Sequence, residues 1–265
     1  MATQTKKPII AAQLYTLREF LKTPLDMART LKRVKQIGYD AAEISGFGPI
    51  AAADLRKLML DAGVKPISSL IGLDAFRSDT AHVIAECKDW GVSYVAIPWL
   101  PCKDYTTLDA WKKLGREFDG YARTLAKAGI TLQYHNHMFE FEKLGIKKGR
   151  GGTTILDLLF KNTKLLKSEL DIGWVVRGGH DPVAWIEKLS GRLDQVHLKD
   201  WGVVANEPVW RAVGEGGINW PLVFKACKKA GTRHYIVEQD TCPVSNDPFL
   251  SLAISRANIH AMGLG

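Results

Sequence analysis

The chain has 265 residues, 46% of them hydrophobic and 24% charged, enough to bury one large core and too few to divide comfortably into more than two domains. Apolar runs such as Val92 to Leu100 are broken by Ser, Tyr, Pro and Trp well before the ~20 residues of a membrane span, so no transmembrane helix is expected. The net charge of +8 lies in pairs at helical spacing, such as Lys32, Arg33 and Lys35, and in one loop-like patch from Lys143 to Arg150; without interleaved aromatics this reads as solvated helix faces and argues against a nucleic-acid groove.

In chain order, Met1 to Pro8 carries two lysines but no apolar segment of the kind a secretory leader needs, and a first strand is expected over Ile9 to Leu14. A repeated unit follows: a polar amphipathic stretch, a glycine, then a short β-rich run ending in a polar residue. It recurs at 37–44, 62–69, 90–98, 128–135 and 230–238, with the glycine read as a helix C-cap and the run as a buried parallel strand. Two further strands are expected at Ser168 to Ile172 and Leu193 to Leu198. Between the strands, Lys57 to Ala62 and Trp111 to Ala128 show the 3.6-residue period of helices. Eight strand–helix units in ~250 residues predict an α/β fold, a (β/α)8 TIM barrel, forming a single domain over 1–265. The rival, a doubly wound open sheet, lacks a G-x-G-x-x-G or Walker sequence opening any helix. The glycine-rich stretch from Gly145 to Gly152 carries Lys147, Lys148 and Arg150 and reads as a surface loop. Cys87, Cys102, Cys227 and Cys242 form no C-x-x-C pair and are read as reduced thiols. The expected compartment is the cytoplasm, or the periplasm if a native leader has been removed.

A barrel makes a specific demand: its chemistry sits where the C-terminal strand ends converge. The polar residues fall there. In order they are Gln13, Glu43, Ser68 or Ser69, Pro98 with Trp99, His135 with His137, Asp171, His197 with Lys199, and Glu238 with Gln239. A buried carboxylate or imidazole needs a partner or a cation. His135, Asp171, His197 and Glu238 together form an N/O donor set suited to one divalent ion of the Mn, Zn, Co or Mg kind.

These residues carry a resemblance. Gln13-Leu14-Tyr15-Thr16-Leu17-Arg18, Tyr134-His135-Asn136-His137 with Glu140-Phe141, Glu169-Leu170-Asp171 with Trp174, Gly178-Gly179 with Asp181-Pro182, Val196-His197-Leu198-Lys199-Asp200, Gly214-Glu215-Gly216 and Val237-Glu238-Gln239-Asp240 are similar, over essentially the whole chain, to the sugar phosphate isomerase/epimerase family. This is the xylose isomerase-like TIM-barrel group, in its Tyr-His-x-His branch. The resemblance implies a divalent-metal-dependent sugar isomerase or epimerase that abstracts a proton next to a carbonyl through a metal-stabilised enediolate. It implies Asp171, His197 and Glu238 as metal ligands. The tagatose-epimerase branch has a glutamate on the fifth strand where this chain has His135, so His137 and Glu140 are alternative fifth-strand ligands. The Tyr-His-x-His branches include inosose dehydratase-like enzymes and enzymes acting on 3-keto-glycosides, so a lyase or dehydratase on the same site is the alternative. The resemblance also suggests a homodimer and a small-molecule sugar or glycoside substrate.

The candidate catalytic groups are Glu238 and the His135/His137 pair as bases and Lys199 as donor to a carbonyl or leaving oxygen. Strand alternation places Lys199 on the face of His197; its bland alternative is contact with solvent or Asp200. Glu43 either holds a sugar hydroxyl or pairs with a lysine or arginine. Glu215 is either an outer partner of His197 or a helix-entry acid. Trp99, Trp174 and Trp201, with Tyr15 and Phe139 nearby, are read as the wall of a sugar pocket. Arg177 is suited to neutralising a phosphate, but no Gly-rich phosphate loop follows the seventh or eighth strand, which favours a non-phosphorylated substrate. Two other classes stand as rivals. An abasic-site endonuclease needs more metal ligands than His82, His180, His234 and His260 supply, and a sugar-binding barrel without catalysis would have His135 as the mark of that loss.

Overall fold

The computed structural model describes residues 7–101, 105–147 and 150–264, with the side chains of 146–151 left aside. Cys102 and Lys148 lie outside the described residues. Eight parallel strands close into a barrel: β1 (Ile9–Gln13), β2 (Ala41–Ile44), β3 (Lys65–Leu70), β4 (Tyr94–Ile97), β5 (Thr131–His135), β8 (Lys167–Asp171), β9 (Gln195–Leu198) and β12 (His234–Val237), with β12 pairing back onto β1. This is the expected (β/α)8 architecture, with every expected barrel strand present.

The helices that alternate with these strands are α1 (Pro24–Ile37), α2 (Ala52–Asp61), α3 (Leu73–Trp90), α4 (Leu108–Lys127), α5 (Ile155–Lys161), α6 (Ile172–Arg177), α7 (Pro182–Lys188), α8 (Trp220–Ala230) and α9 (Pro248–Ala261). Their ends follow from local chemistry. Thr23 Oγ1 caps α1 by accepting from Asp26 N at 3.2 Å, with Pro24 in the first turn, where a missing N–H costs nothing. At the other end Gly38 sits at φ +105, a left-handed conformation that a side chain resists. The repeated glycines of the sequence, Gly38, Gly63, Gly91, Gly129 and Gly231, all at positive φ, thus lead helices into the strands that follow them.

Period-2 alternation divides the strand residues between two cores. Outward-facing Val95, Ile97, Leu132, Tyr134, Leu170, Val196, Leu198 and Val237 join the helices in one large apolar cluster, each such burial contributing about 1.5–3 kcal/mol. The barrel interior is different. Ala11, Ala41, Ile67 and Ile236, with Ile9 against them, form a small apolar plug there. Above that plug the inward positions are Gln13, Glu43, Gln133, His135, Glu169, Asp171, Gln195 and His197, all buried. The strand register sets His135 beside Glu169 and Asp171 beside His197.

Two antiparallel hairpins project beyond the barrel strands: β6 (Lys143–Lys147) with β7 (Arg150–Thr154), and β10 (Asp200–Val204) with β11 (Glu207–Arg211). The first corrects the surface-loop reading of Gly145 to Gly152. Its strands are short and interrupted by glycines, so their alternation is too brief to separate from a polar loop. The second was not anticipated; it turns through Ala205 and Asn206, both at positive φ (49 and 68), as a two-residue hairpin connection requires.

Candidate metal centre at the barrel mouth

The Tyr134-His135-Asn136-His137 segment ends β5 and organises one side of the site. His135 faces inward, while the outward Tyr134 hydroxyl donates to Glu140 Oε1 at 2.6 Å and Glu140 Oε2 accepts from His137 N at 2.9 Å. Burial pushes Glu140 up to about 7. Its carboxylate is therefore committed to bracing the chain after β5 and lies apart from the ligand cluster. Asn136 reaches across to β8, where its Oδ1 accepts from Asp171 N at 3.0 Å.

Asp171 has two tasks. Its Oδ1 caps α6 by accepting from Trp174 N at 2.8 Å, while its Oδ2, buried and without a hydrogen bond, faces His135 Nε2 at 4.0 Å and Lys199 Nζ at 3.2 Å. On the neighbouring strands, His197 Nδ1 lies 2.9 Å from Glu238 Oε2, and its Nε2 lies 2.7 Å from Glu43 Oε2 and 3.3 Å from Glu169 Oε2. His135, Asp171, His197 and Glu238 are all buried, and one donor atom from each lies within 4.8 Å of the others.

This donor set fits a divalent cation on its own chemistry: two carboxylates, two imidazoles and a buried Asp171 Oδ2 that accepts no hydrogen bond and has only the Lys199 ammonium facing it at 3.2 Å and His135 at 4.0 Å among the described residues. His197 presents Nδ1 toward the other ligands while Nε2 is directed to Glu43, the arrangement by which an outer carboxylate fixes a ligating imidazole. A second group, Glu43, Glu169 and His197, lies beneath and shares His197.

Charges at the centre are set by burial and mutual contact. Burial holds His135 well below its usual value, helped by the nearby His197 and His137, and brings His137 down to about 4; both rings are neutral bases at pH 7. Burial opposes the charged forms of His197 and Lys199, yet Glu169 with Glu43 outweighs it for His197, and Asp171, Glu238 and Asp240 outweigh it for Lys199, so both are held high. Burial disfavours the Glu238 carboxylate too, but Lys199 and His197 hold it well below the usual range. Burial, then Glu43, pushes Glu169 up to about 8.

Several expectations about individual side chains change. Glu43 pairs with neither a lysine nor an arginine: it is fully buried, hydrogen-bonded by Gln13 Nε2 and directed at the His197 imidazole. Lys199 pairs with Glu238 (2.8 Å), Asp240 (3.0 Å) and Asp171 (3.2 Å) rather than with Asp200. Asp200 is occupied by Trp201 N, Gly214 N, Gly216 N and the Trp220 indole. Glu215 contacts Arg211 and Asn258 at the surface and does not reach His197. Trp174 packs on His137, ring centroids 5.2 Å apart, and Trp201 packs on Trp210 at 5.7 Å. Trp99 stands 54% exposed just past β4. Residues not anticipated are Glu169, Asp240 and Trp210. The first two lie two positions from Asp171 and Glu238, so strand alternation alone was a usable signal; Trp210 belongs to the unanticipated hairpin.

Comparison with known proteins gives a consistent picture. The family model described as xylose isomerase-like TIM barrel matches residues 31–248. A solved sugar phosphate isomerase/epimerase from Parabacteroides distasonis ATCC 8503 superposes with a TM-score of 0.81 at 28% identity, covering 99% of this chain and 97% of that one. The rhizopine catabolism protein MocC of Rhizobium meliloti is 22% identical, over 91% of this chain and 82% of its own length. An inosose dehydratase of Mesomycoplasma hyopneumoniae strain 7448 is 24% identical, over 83% of each.

Proposed function

The chain belongs to the xylose isomerase-like TIM-barrel family, and on that premise we propose that it is a divalent-metal-dependent enzyme that removes a proton from the carbon beside a sugar carbonyl and returns it as an isomerase or epimerase. The observation that carries this reading is the buried convergence of His135, Asp171, His197 and Glu238, with donor atoms within 4.8 Å of one another. A cation held there, of the Mn, Zn, Co or Mg kind, supplies Lewis-acid polarisation of a carbonyl.

The protein's own groups supply the rest. His137, neutral at pH 7 and with a buried Nδ1 that has no hydrogen bond, is placed to accept a proton, and its main chain is fixed by Glu140. Glu238 is the second base, kept ionised by Lys199 and His197. Lys199 stays protonated and can donate to a carbonyl or leaving oxygen. Trp174, Trp201 and Trp210 form an apolar wall beside these groups, and Trp99 adds an exposed ring at the rim.

Elimination is the second reading, favoured by the neutral His135 and His137 rings 5.1 Å apart at the place of a fifth-strand glutamate, and by the curated relatives named as inosose dehydratases. The same proton is removed, and a β-substituent then leaves with the proton that Lys199 donates.

Incubation with keto-sugars and 3-keto-glycosides in deuterated water, followed by NMR at each carbon, tests both readings. Label at the carbon next to the carbonyl is expected, with loss of a substituent marking elimination. Glu238→Gln should fold, lose turnover and retain less metal; full activity in that variant would sink the assignment.

A further inference from the structure

Trp174 and Trp210, packed edge to face with centroids 4.7 Å apart, each carry two cations. Lys199 Nζ lies 5.2 Å from both ring centroids, and the Arg177 guanidinium carbon lies 5.0 Å from Trp174, 4.9 Å from Trp210 and 4.4 Å from Trp201. The two cations differ in what answers them. Lys199 is matched by three carboxylates. Half-buried Arg177 has no hydrogen bond and no ion pair among the described residues, whereas Arg77 is paired with Glu117 and Arg192 is bonded to the carbonyls of Phe160, Thr163 and Leu166.

A guanidinium packed on aromatic faces keeps its N–H donors in its own plane, at the edges, in a fork that matches a carboxylate or a phosphate. Arg177 closes α6, whose first turn is capped by the candidate ligand Asp171, and two of the rings holding it stand on the β10–β11 hairpin that follows His197. It is therefore one indole removed from Lys199, on the outer side of the wall.

We infer that Arg177 is a subsite for an anionic group, carboxylate or phosphate, carried by the substrate away from its reacting carbon. The inference rests on the sugar-enzyme reading above and narrows its substrate class. In the inner site Asp171, Glu238 and Asp240 already answer Lys199, while Arg177 presents an unmatched cation, so a substrate charged at one end is favoured with that end at Arg177. A sugar acid satisfies this without a Gly-rich phosphate loop, and it narrows the non-phosphorylated substrate expected from the lack of such a loop in the sequence.

The test is calorimetric titration of Mn2+-reconstituted protein with methyl β-D-glucoside and methyl β-D-glucuronide, which share a ring and differ in one charge, with inorganic phosphate as competitor. The wild type should bind the glucuronide about tenfold or more tighter than the glucoside. Arg177→Gln should abolish that preference, and Arg177→Lys should keep part of it. Displacement of the glucuronide by phosphate would extend the site to phosphates; glucuronide preference without displacement would confine it to carboxylates. No preference in the wild type, or equal loss of both glycosides in Arg177→Gln, would overturn the inference and leave Arg177 as packing for the tryptophans. Metal content of the same samples separates the two failures: metal and neutral glycoside bound without charge preference defeats only this inference, whereas neither bound defeats the sugar-enzyme reading as well.

Discussion

Lys199 Nζ stands 3.2 Å from Asp171 Oδ2 and 2.8 Å from Glu238 Oε2, so an ammonium already faces two carboxylate oxygens of the candidate metal centre. In Lys199→Met those acids lose their cation. Breaking a buried pair on one side costs about 3–5 kcal/mol, so the metal-free variant should unfold at lower temperature. Saturating Mn2+ should restore most of the loss, because the same oxygens then answer a metal rather than a lysine. Metal affinity should rise while turnover falls about 100-fold. Thermal unfolding with and without chelator, alongside metal analysis, checks this; loss of metal from the variant would show that Lys199 arranges the ligands rather than repelling the ion.

Asp200 is fully buried and accepts from four donors: Trp201 N (2.7 Å), Gly214 N (2.8 Å), Gly216 N (3.1 Å) and Trp220 Nε1 (2.7 Å). It ties the β10–β11 hairpin to the loop before α8. Asp200→Ala leaves those buried N–H groups unpaired and should cost about 3–5 kcal/mol. Asp200→Asn, which keeps one acceptor oxygen, should cost less. Because Trp201 and Trp210 stand on this hairpin, substrate affinity should weaken in both variants, in the same order as stability, in denaturant titrations and KM measurements.

The barrel was legible because helix periodicity, the glycine after the helix and the short apolar run behind it agree in five units spread along the chain. His135, Asp171, His197 and Glu238 were legible because a strand end is a definite place in that fold. The layer beneath was harder to see. Gln13, Glu43 and Glu169 sit inside the barrel, where side chains from several strands meet, and which carboxylate faces which imidazole is fixed by register between strands. Glu43 is expected from the sequence to meet a sugar hydroxyl or a lysine or arginine, yet closure of β2 against β1, with only β1 and β12 between β2 and β9, brings it inside the ring to His197. The second hairpin was hidden because its strands pair only with each other and carry no buried alternating face to mark them.

His234, at the opposite end of β12 from Glu238, makes stability depend on pH. Burial lowers it to about 4 from an ordinary 6.5, and its Nδ1 contacts Gln195 Nε2 at 2.7 Å, so the ring is folded in its neutral form. The unfolded chain binds this proton first as pH falls, so the stabilisation present above pH 6.5 is lost between 6.5 and about 4. From this residue the loss from pH 7.5 to 4.5 should be about 2 kcal/mol, allowing for partial exposure. His234→Gln should remove that part of the slope; urea denaturation at the two pH values, with wild type and variant giving the same difference, would refute it.

Gly173 joins α6 to the end of β9. A Cβ there would lie 2.5 Å from the Lys199 carbonyl oxygen and 3.0 Å from the carbonyl carbon and Cβ of the same residue, and two of these three atoms are backbone that cannot rotate away. Gly173→Ala should therefore push α6 outward at a cost of about 1–3 kcal/mol. The displacement has a direct chemical consequence: Trp174 N is held by Asp171 Oδ1, so a shifted helix start pulls on the carboxylate whose other oxygen faces His135 and Lys199. Metal retention and tryptophan fluorescence should both change in this variant. A substitution elsewhere of equal destabilisation, such as Ile259→Val in the outer core, should leave both as they are. If Gly173→Ala keeps its full metal content despite a lowered unfolding temperature, the coupling between α6 and the Asp171 carboxylate is absent, and Asp171 is oriented by Asn136 and its strand alone.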